Sequence, residues 1–421
     1  MSTYIHQFAD NYRLWPQNAA IFLPNGRPPE VGELFVQQDL ARSLQYMADQ
    51  EQAARHQGRE AGLAAARHAF YEGDLAMAMA RFYRENGGWL TEQDLAEYRS
   101  EIEAPLSYDY KGTEVFSCGP WCQGPVLLQM LALLEGCDLK AMGHNSAAYV
   151  HCIAEAMKLC FADRHHLYGD PRFVNVPMQR LLSAEYAAER RKLIDPDRAS
   201  PGMPAPGIPG AAFSASPRRP ADDITLAGDT SYVCVVDRDG NAVSITPSDT
   251  SYESPIVPGL GFCPSSRGSQ SWADPLHPSC VQPGKRPRLT PNPALARRRG
   301  EFVMPFGGPG GDLQPQSMLQ VFLNHVEFGM QIQDAVEAAR FVTHSFPHSF
   351  EPHAYNPGRL DLEQPIGEAA GAELAARGHD VQWRPALSPN TAGVCSIVAN
   401  QSSGILYGGA DPRRAARAMG W

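Results

Sequence analysis

Several kinds of sequence feature are missing, and each absence closes off a class of protein. No apolar run approaches the roughly 18 residues a membrane helix needs. The richest stretch, 126–134, is shorter and is broken by Gln129. Positive charge is not in excess: 36 Lys and Arg stand against 46 Asp and Glu, a net charge of −10. That balance argues against a nucleic-acid or anionic-membrane partner through bulk electrostatics. The nine cysteines contain no C-x-x-C pair and are odd in number. They read as buried or incidental thiols of a reducing compartment, neither a disulfide framework nor a zinc site. The opening Met-Ser-Thr-Tyr-Ile-His-Gln has neither a basic nor an apolar leader region. As written the chain reads as cytoplasmic, although a secretion signal could precede the sequence given.

What is present is ordinary globular composition, 43% hydrophobic and 19% charged over 421 residues. Residues 1–32 are weakly periodic. Helical patterns follow at 40–47 with Asp39 as N-cap, at 60–70, at 74–86, and after Thr91, where Thr91 and Asp94 form a capping-box pattern. A strand at 113–117 leads through a Gly/Pro loop to a helix at 125–135. A long helix at 146–167 places Val150, Ile153, Ala154, Met157, Cys160 and Phe161 at helical spacing, a core face. His151 and Glu155 lie one turn apart on it, with Asp163, His165 and His166 near its end. Three or four convergent ligands would be needed for a metal, and histidines in a last turn also complement the helix dipole. The expectation is no metal and no cofactor.

From about 195 to 229 the chain turns into a Pro/Gly linker with little apolar content. It ends at Gly228-Asp229-Thr230-Ser231-Tyr232, the stretch on which the rest depends. Residues 232–236 and 242–245 read as two strands, and Asp239-Gly240 between them is a hairpin turn signal. Thr230 therefore sits where a flexible segment becomes the first strand of a hairpin. If the Asp229–Thr230 bond is cut, Thr230 carries both a hydroxyl and an α-amine that titrates near pH ~8, so the residue can serve as its own base. Taken alone, a Thr opening a strand is more simply β-propensity.

This stretch, with Val-Val-Asp-x-Asp-Gly-Asn-Ala-Val in 235–243, resembles the processing site of the γ-glutamyltranspeptidase family of N-terminal-nucleophile (Ntn) hydrolases. The resemblance extends to Phe70-Tyr71-Glu72-Gly73-Asp74, Asn86-Gly87-Gly88-Trp89, Glu155-Ala156-Met157-Lys158-Leu159 and Phe161-Ala162-Asp163-Arg164. It continues through Lys285-Arg286-Pro287, Gly307-Gly308-Pro309-Gly310-Gly311 and Gly408-Gly409-Ala410-Asp411-Pro412-Arg413. It implies an α+β fold, the four-layer αββα sandwich, with residues 1–229 forming the later part of the large subunit. Residues 230–421 would be the small subunit, and the two would interweave in one domain. The family's usual first part, with its substrate-binding arginine, has no match in residues 1–60, so the fold is expected to be incomplete at its N-terminus.

The resemblance also implies roles. Thr230 becomes nucleophile and base after autocleavage behind Asp229, and Ser248 a supporting hydroxyl. Gly310 and Gly311 would form the oxyanion hole, since glycines ahead of a helix let backbone N–H groups approach an anion. Thr250, Arg267, Gln270 and Thr290 would line the substrate pocket. Glutathione-handling members place a carboxylate and a pair of serines where this chain has Gln270 and Leu289-Thr290. A neutral amide cannot pair with an ammonium by charge, and Leu289 cannot donate a hydrogen bond to a carboxylate. The expected reaction is therefore amide hydrolysis or γ-glutamyl-type acyl transfer, with an acylase-like small-molecule substrate and a glutathione substrate as the alternative. The expected partners are that substrate and the two self-cleaved fragments, with homo-oligomerisation open. A non-catalytic family member and a metal-dependent hydrolase built on residues 151–166 are the competing classes.

Overall fold

A computed structural model describes residues 2–210 and 230–421. They gather into two compact units, Met1–Ile102 with Asp249–Ser266, and Glu103–Ser248 with Arg267–Trp421. The linker expected from 195 is described as far as 210, where it holds neither helix nor strand. Its remainder, including Asp229, lies outside the described residues.

In the first unit the helices Gln38–Ala54, Arg59–Tyr71, Asp74–Glu85 and Glu92–Glu97 follow one another. They enclose a core of Leu75, Ala76, Met79, Leu95, Val257 and Leu260. The capping box forms: Asp94 N–H donates to Thr91 Oγ1 at 3.2 Å, and Thr91 N–H to Asp94 Oδ2 at 2.8 Å. Asp39 is not the N-cap. The helix begins at Gln38 after Gln37, and Asp39 pairs with Arg42 inside the first turn. The weakly periodic start holds three short helices, Ser2–Gln7, Ala9–Arg13 and Pro16–Phe22. Helices this short are marginal alone and depend on tertiary contacts. Here Phe8 stacks on Tyr252 with centroids 3.9 Å apart, and the Asn18 amide donates to the carbonyls of Ser251 and Ser254.

The second unit is built on a six-stranded antiparallel sheet. Its strands are β1 (Leu106–Tyr110), β2 (Thr113–Ser117), β5 (Ala294–Arg298), β6 (Phe302–Gly307), β10 (Cys395–Asn400) and β11 (Leu406–Gly409), adjacent in that order. The hairpin of β3 (Val233–Val236) and β4 (Ala242–Ile245) pairs Val233 with Ile245 and Val235 with Val243. A third sheet joins β7 (Phe341–Thr343) antiparallel to β8 (Arg359–Glu363), and β8 parallel to β9 (Asp380–Arg384). One face of the hairpin rests on the large sheet: the Tyr232 ring lies over Gly307, where a Cβ would come within 2.4 Å, and Ser244 Oγ reaches the Phe306 carbonyl. The other face leaves Val233, Val235, Val243 and Ile245 nearly half exposed.

Helices Gly124–Glu135, Ala147–Leu167 and Gln314–Val326 supply most of the apolar core. The Ala147–Leu167 helix departs from expectation. It is buried almost all round, not along one face, and its polar residues are matched inside: Lys158 with Glu155 at 2.7 Å, and Asp163 with Tyr186 at 2.7 Å. Mixed helix and sheet is the observed class. No helix among the described residues is long and apolar enough to cross a membrane.

Candidate active site

Thr230 lies three residues ahead of β3, and the backbone just beyond it is fixed by Ser231 N–H donating to the Pro247 carbonyl at 3.0 Å. That bond brings the entry to β3 beside the exit from β4. Thr230 is 9% exposed, and its Oγ1 is 2.6 Å from Ser248 Oγ. Arg267 Nη2 donates to the same serine oxygen at 2.5 Å, and Arg267 Nε to the Ser248 carbonyl at 3.3 Å. A guanidinium only donates. Ser248 Oγ is thus held as an acceptor by a cation, and it can either donate to or accept from Thr230 Oγ1. Arg267, expected in the substrate pocket, is here placed on Ser248, the neighbour of Thr230, with its guanidinium over the Phe350 ring at 5.3 Å.

β6 runs out into Gly308-Pro309-Gly310-Gly311, and the helix Gln314–Val326 follows. Gly310 has φ 141° and Gly311 φ 54°, both in the region that L side chains avoid, and a Cβ on Gly310 would meet Ala392 Cβ at 2.4 Å. The carbonyls of Pro309 and Gly310 in this loop both have partners. Pro309 O accepts from Gly393 N–H at 3.3 Å and Gly310 O from Leu313 N–H at 3.0 Å. In a trans peptide the N–H points opposite its carbonyl. Anchoring those two carbonyls therefore aims the N–H groups of Gly310 and Gly311 away from the anchors.

Residues that sequence reasoning passed over hold this loop. Gln123 Nε2 donates to Gly311 O at 2.7 Å and to Thr290 O at 2.6 Å. Arg164 donates to Gln123 Oε1 at 3.1 Å and forms a fully buried ion pair with Asp312, the residue after the glycines. Asp312 also accepts from Ser349 N–H at 2.7 Å and Ser349 Oγ at 2.6 Å. Burial alone would raise its carboxyl pKa. The Arg164 and His348 charges and these hydrogen bonds outweigh that and hold it well below the usual carboxylate range. Arg164 was visible in the family-like Phe-Ala-Asp-Arg stretch, but nothing local marked Gln123, which only precedes a helix start.

Of the expected pocket residues, Gln270 and Thr290 are brought together. Both are buried, with Gln270 Nε2 donating to Thr290 Oγ1 at 3.1 Å. Gln270 Oε1 has no partner among the described residues. Since the Thr290 carbonyl is on Gln123, one chain of bonds joins Gln270 to the glycine loop. Thr250 belongs to the first unit, where its hydroxyl lies 3.0 Å from the Glu253 carboxylate and 3.1 Å from Ser266 Oγ. Arg286 of the Lys-Arg-Pro motif anchors its loop through Glu103 at 2.8 Å and Asp170 at 3.2 Å.

His151 and Glu155, the pair weighed for metal binding, are joined by His379. One ligand atom from each lies within 4.8 Å of the others. A resident cation already serves Glu155, since Lys158 Nζ stands 2.7 Å from it. His151 Nε2 meets the Asp195 carbonyl at 2.7 Å, so that nitrogen carries the proton and Nδ1 faces His379 at 2.9 Å.

Comparison with solved structures sets the class. The chain superposes on the structure titled LmbA2991HD with a TM-score of 0.89 at 37% identity, covering 98% of this chain and 73% of that one. It superposes on the cephalosporin acylase from Bacillus halodurans with a TM-score of 0.83 at 29% identity, covering 100% and 70%. Its structural neighbours thus lie in the gamma-glutamyltranspeptidase/acylase group of Ntn hydrolases. The chain belongs to the gamma-glutamyltranspeptidase family, whose model matches residues 1–421. Relatives include the acylase ACY 1 proenzyme of Pseudomonas sp. (strain SE83), 33% identical over 94% of this chain. Another is the glutathione hydrolase proenzyme of Escherichia coli (strain K12), 30% identical over 98%. The chain spans 63% and 66% of the length of these two proteins.

Proposed function

We propose that this protein is an N-terminal-threonine amide hydrolase or acyltransferase, made as a proenzyme and matured by cleavage between Asp229 and Thr230. The observation that carries the reading is the 2.6 Å contact between Thr230 Oγ1 and Ser248 Oγ, with Arg267 on the serine. Once freed, the Thr230 amine takes the hydroxyl proton as Oγ1 attacks a substrate carbonyl. The oxyanion is received by the N–H groups of Gly310 and Gly311. The amine leaving group departs with a proton, and the acyl-Thr230 ester passes to water or to an acceptor amine. The fold reading that goes with this is the four-layer sandwich, with the β3–β4 hairpin in its second sheet.

The substrate class is an acylase-like amide. Gln270 offers an unpaired carbonyl oxygen and no charge, which suits an amide N–H or hydroxyl better than an ammonium. The acylase relatives favour the same reading, and the glutathione hydrolase relatives keep a γ-glutamyl substrate as the second.

The deciding experiment is intact mass under denaturing conditions for the purified protein and for Thr230→Ala. Two fragments divided before Thr230, with the variant uncut, support the assignment. One uncut species in both, with no amide hydrolysis across a panel of acyl donors, removes it.

A further inference from the structure

Nine free cysteines are spread through the sequence, and two pairs of them meet: Cys118 with the fully buried Cys122, and Cys137 with Cys152. Cys137 lies two residues past the Gly124–Glu135 helix, and Cys152 in the second turn of Ala147–Leu167. Their Sγ atoms are 3.7 Å apart. We propose that Cys137 and Cys152 form a thiol–disulfide exchange site, with Cys137 the attacking thiolate, Cys152 the resolving thiol, and a low-molecular-weight disulfide the reactant.

The two sulfurs are unequal in ways that assign the roles. Cys137 is partly exposed, whereas Cys152 is 6% exposed and opens onto its partner. The hydrogen bond from Cys152 lowers the Cys137 pKa to about 7, against the opposing effect of burial, and the Arg191 and Lys111 charges add to the shift. The Arg191 guanidinium is fixed beside this site. It donates to the Leu133 carbonyl at 2.6 Å and lies over Gly136, where a Cβ would come within 2.2 Å of its Cζ. An electropositive, partly exposed thiol next to a second thiol is the arrangement that exchanges.

The reaction balances without another component. The Cys137 thiolate attacks one sulfur of RSSR, giving a mixed disulfide and RS⁻, which takes up a proton. Cys152 gives up its proton and attacks Cys137 Sγ, expelling the second RS⁻. Two protein thiols and one RSSR become one protein disulfide and two RSH.

The consequence is structural. Gln123 immediately precedes the first helix, Arg164 lies in the last turn of the second, and the two meet through a 3.1 Å hydrogen bond. The helices therefore run antiparallel, touching through Gln123 and Arg164 at one end and through the cysteines at the other. Oxidation ties the free end of the pair that carries the glycine-loop supports.

The test uses folded protein and 2-hydroxyethyl disulfide. Glutathione disulfide is avoided because it carries γ-glutamyl groups. The expected product is two hydrogens lighter and reversible by dithiothreitol. Fragment spectra should show a bond between Cys137 and Cys152, and the melting temperature should rise by a few degrees. Formation should accelerate as pH rises through about 7. Cys152→Ser should stop at a hydroxyethyl adduct on Cys137, and Cys137→Ser should form neither adduct nor link. A wild-type protein that stops at the same adduct, a link to any other cysteine, or no reaction on the folded chain overturns the proposal.

Discussion

A hydroxyl, a second hydroxyl and a guanidinium stand in a row at Thr230, Ser248 and Arg267, and each fixes the next. Removing the middle member should therefore act on chemistry more than on folding. We expect Ser248→Ala to lower kcat for amide hydrolysis about tenfold, the worth of one hydrogen bond to a reacting group, with little change in melting temperature. Behind the glycine loop, Asp312 behaves differently because its charge is buried against Arg164. A carboxyl depressed by folding stabilises the native state above its unfolded pKa of about 4 and loses that contribution as pH falls through its lower folded value. Asp312→Asn should thus be markedly less stable than wild type near pH 7, and its unfolding midpoint should fall less steeply between about pH 4 and pH 2. Equal slopes would show that the Asp312 charge contributes nothing. The place of Thr230 at the entry to a hairpin was legible in the sequence from the turn signal, while its candidate role came only from the family resemblance. Gln123 was not, since its two backbone acceptors lie 167 and 188 residues away in sequence.

Among the elements, the strand-to-helix turn at 308–311 is the most constrained. Gly310→Ala puts a Cβ where Ala392 already stands and forces a φ of 141° on an L side chain. We expect a stability loss of at least 1–3 kcal/mol in denaturant melts. Activity should fall further than in a stability-matched core variant, because the two N–H groups lose their direction. The β2 strand, the hairpin and the Thr91 capping box could be read from local pattern, since each rests on neighbours in sequence. The Ala147–Leu167 helix could not. Its apolar spacing indicated one buried face, but Glu155, Lys158, Asp163 and Arg164 are buried as well, the first two matched by each other and by the Ser200 backbone, the others by groups elsewhere in the chain. The three helices before residue 23 were missed for the related reason that ring stacking, not periodicity, holds them.

At the scale of the whole molecule, residues 103–210 and 230–248 both contribute to the second unit, and the far end of the chain is locked into it. Arg413 meets Glu363 at 2.6 Å and Asp411 at 3.2 Å, while Arg340 meets Asp411 at 2.7 Å, all of them buried. Arg413→Met strands the Glu363 carboxylate. A loss of roughly 3–5 kcal/mol is expected, read as a lower urea midpoint. The motif containing Arg413 was visible in the sequence as a family likeness, but its work as a clasp on β8 was not. The hairpin bears on how the protein behaves in the hand. Four β-branched side chains turned to water make a sticky strip next to Thr230, and concentrated sulfate salts strengthen such contacts. Preparations should bind phenyl-bearing resins tightly and salt out early, and Val235→Thr with Val243→Thr should elute sooner.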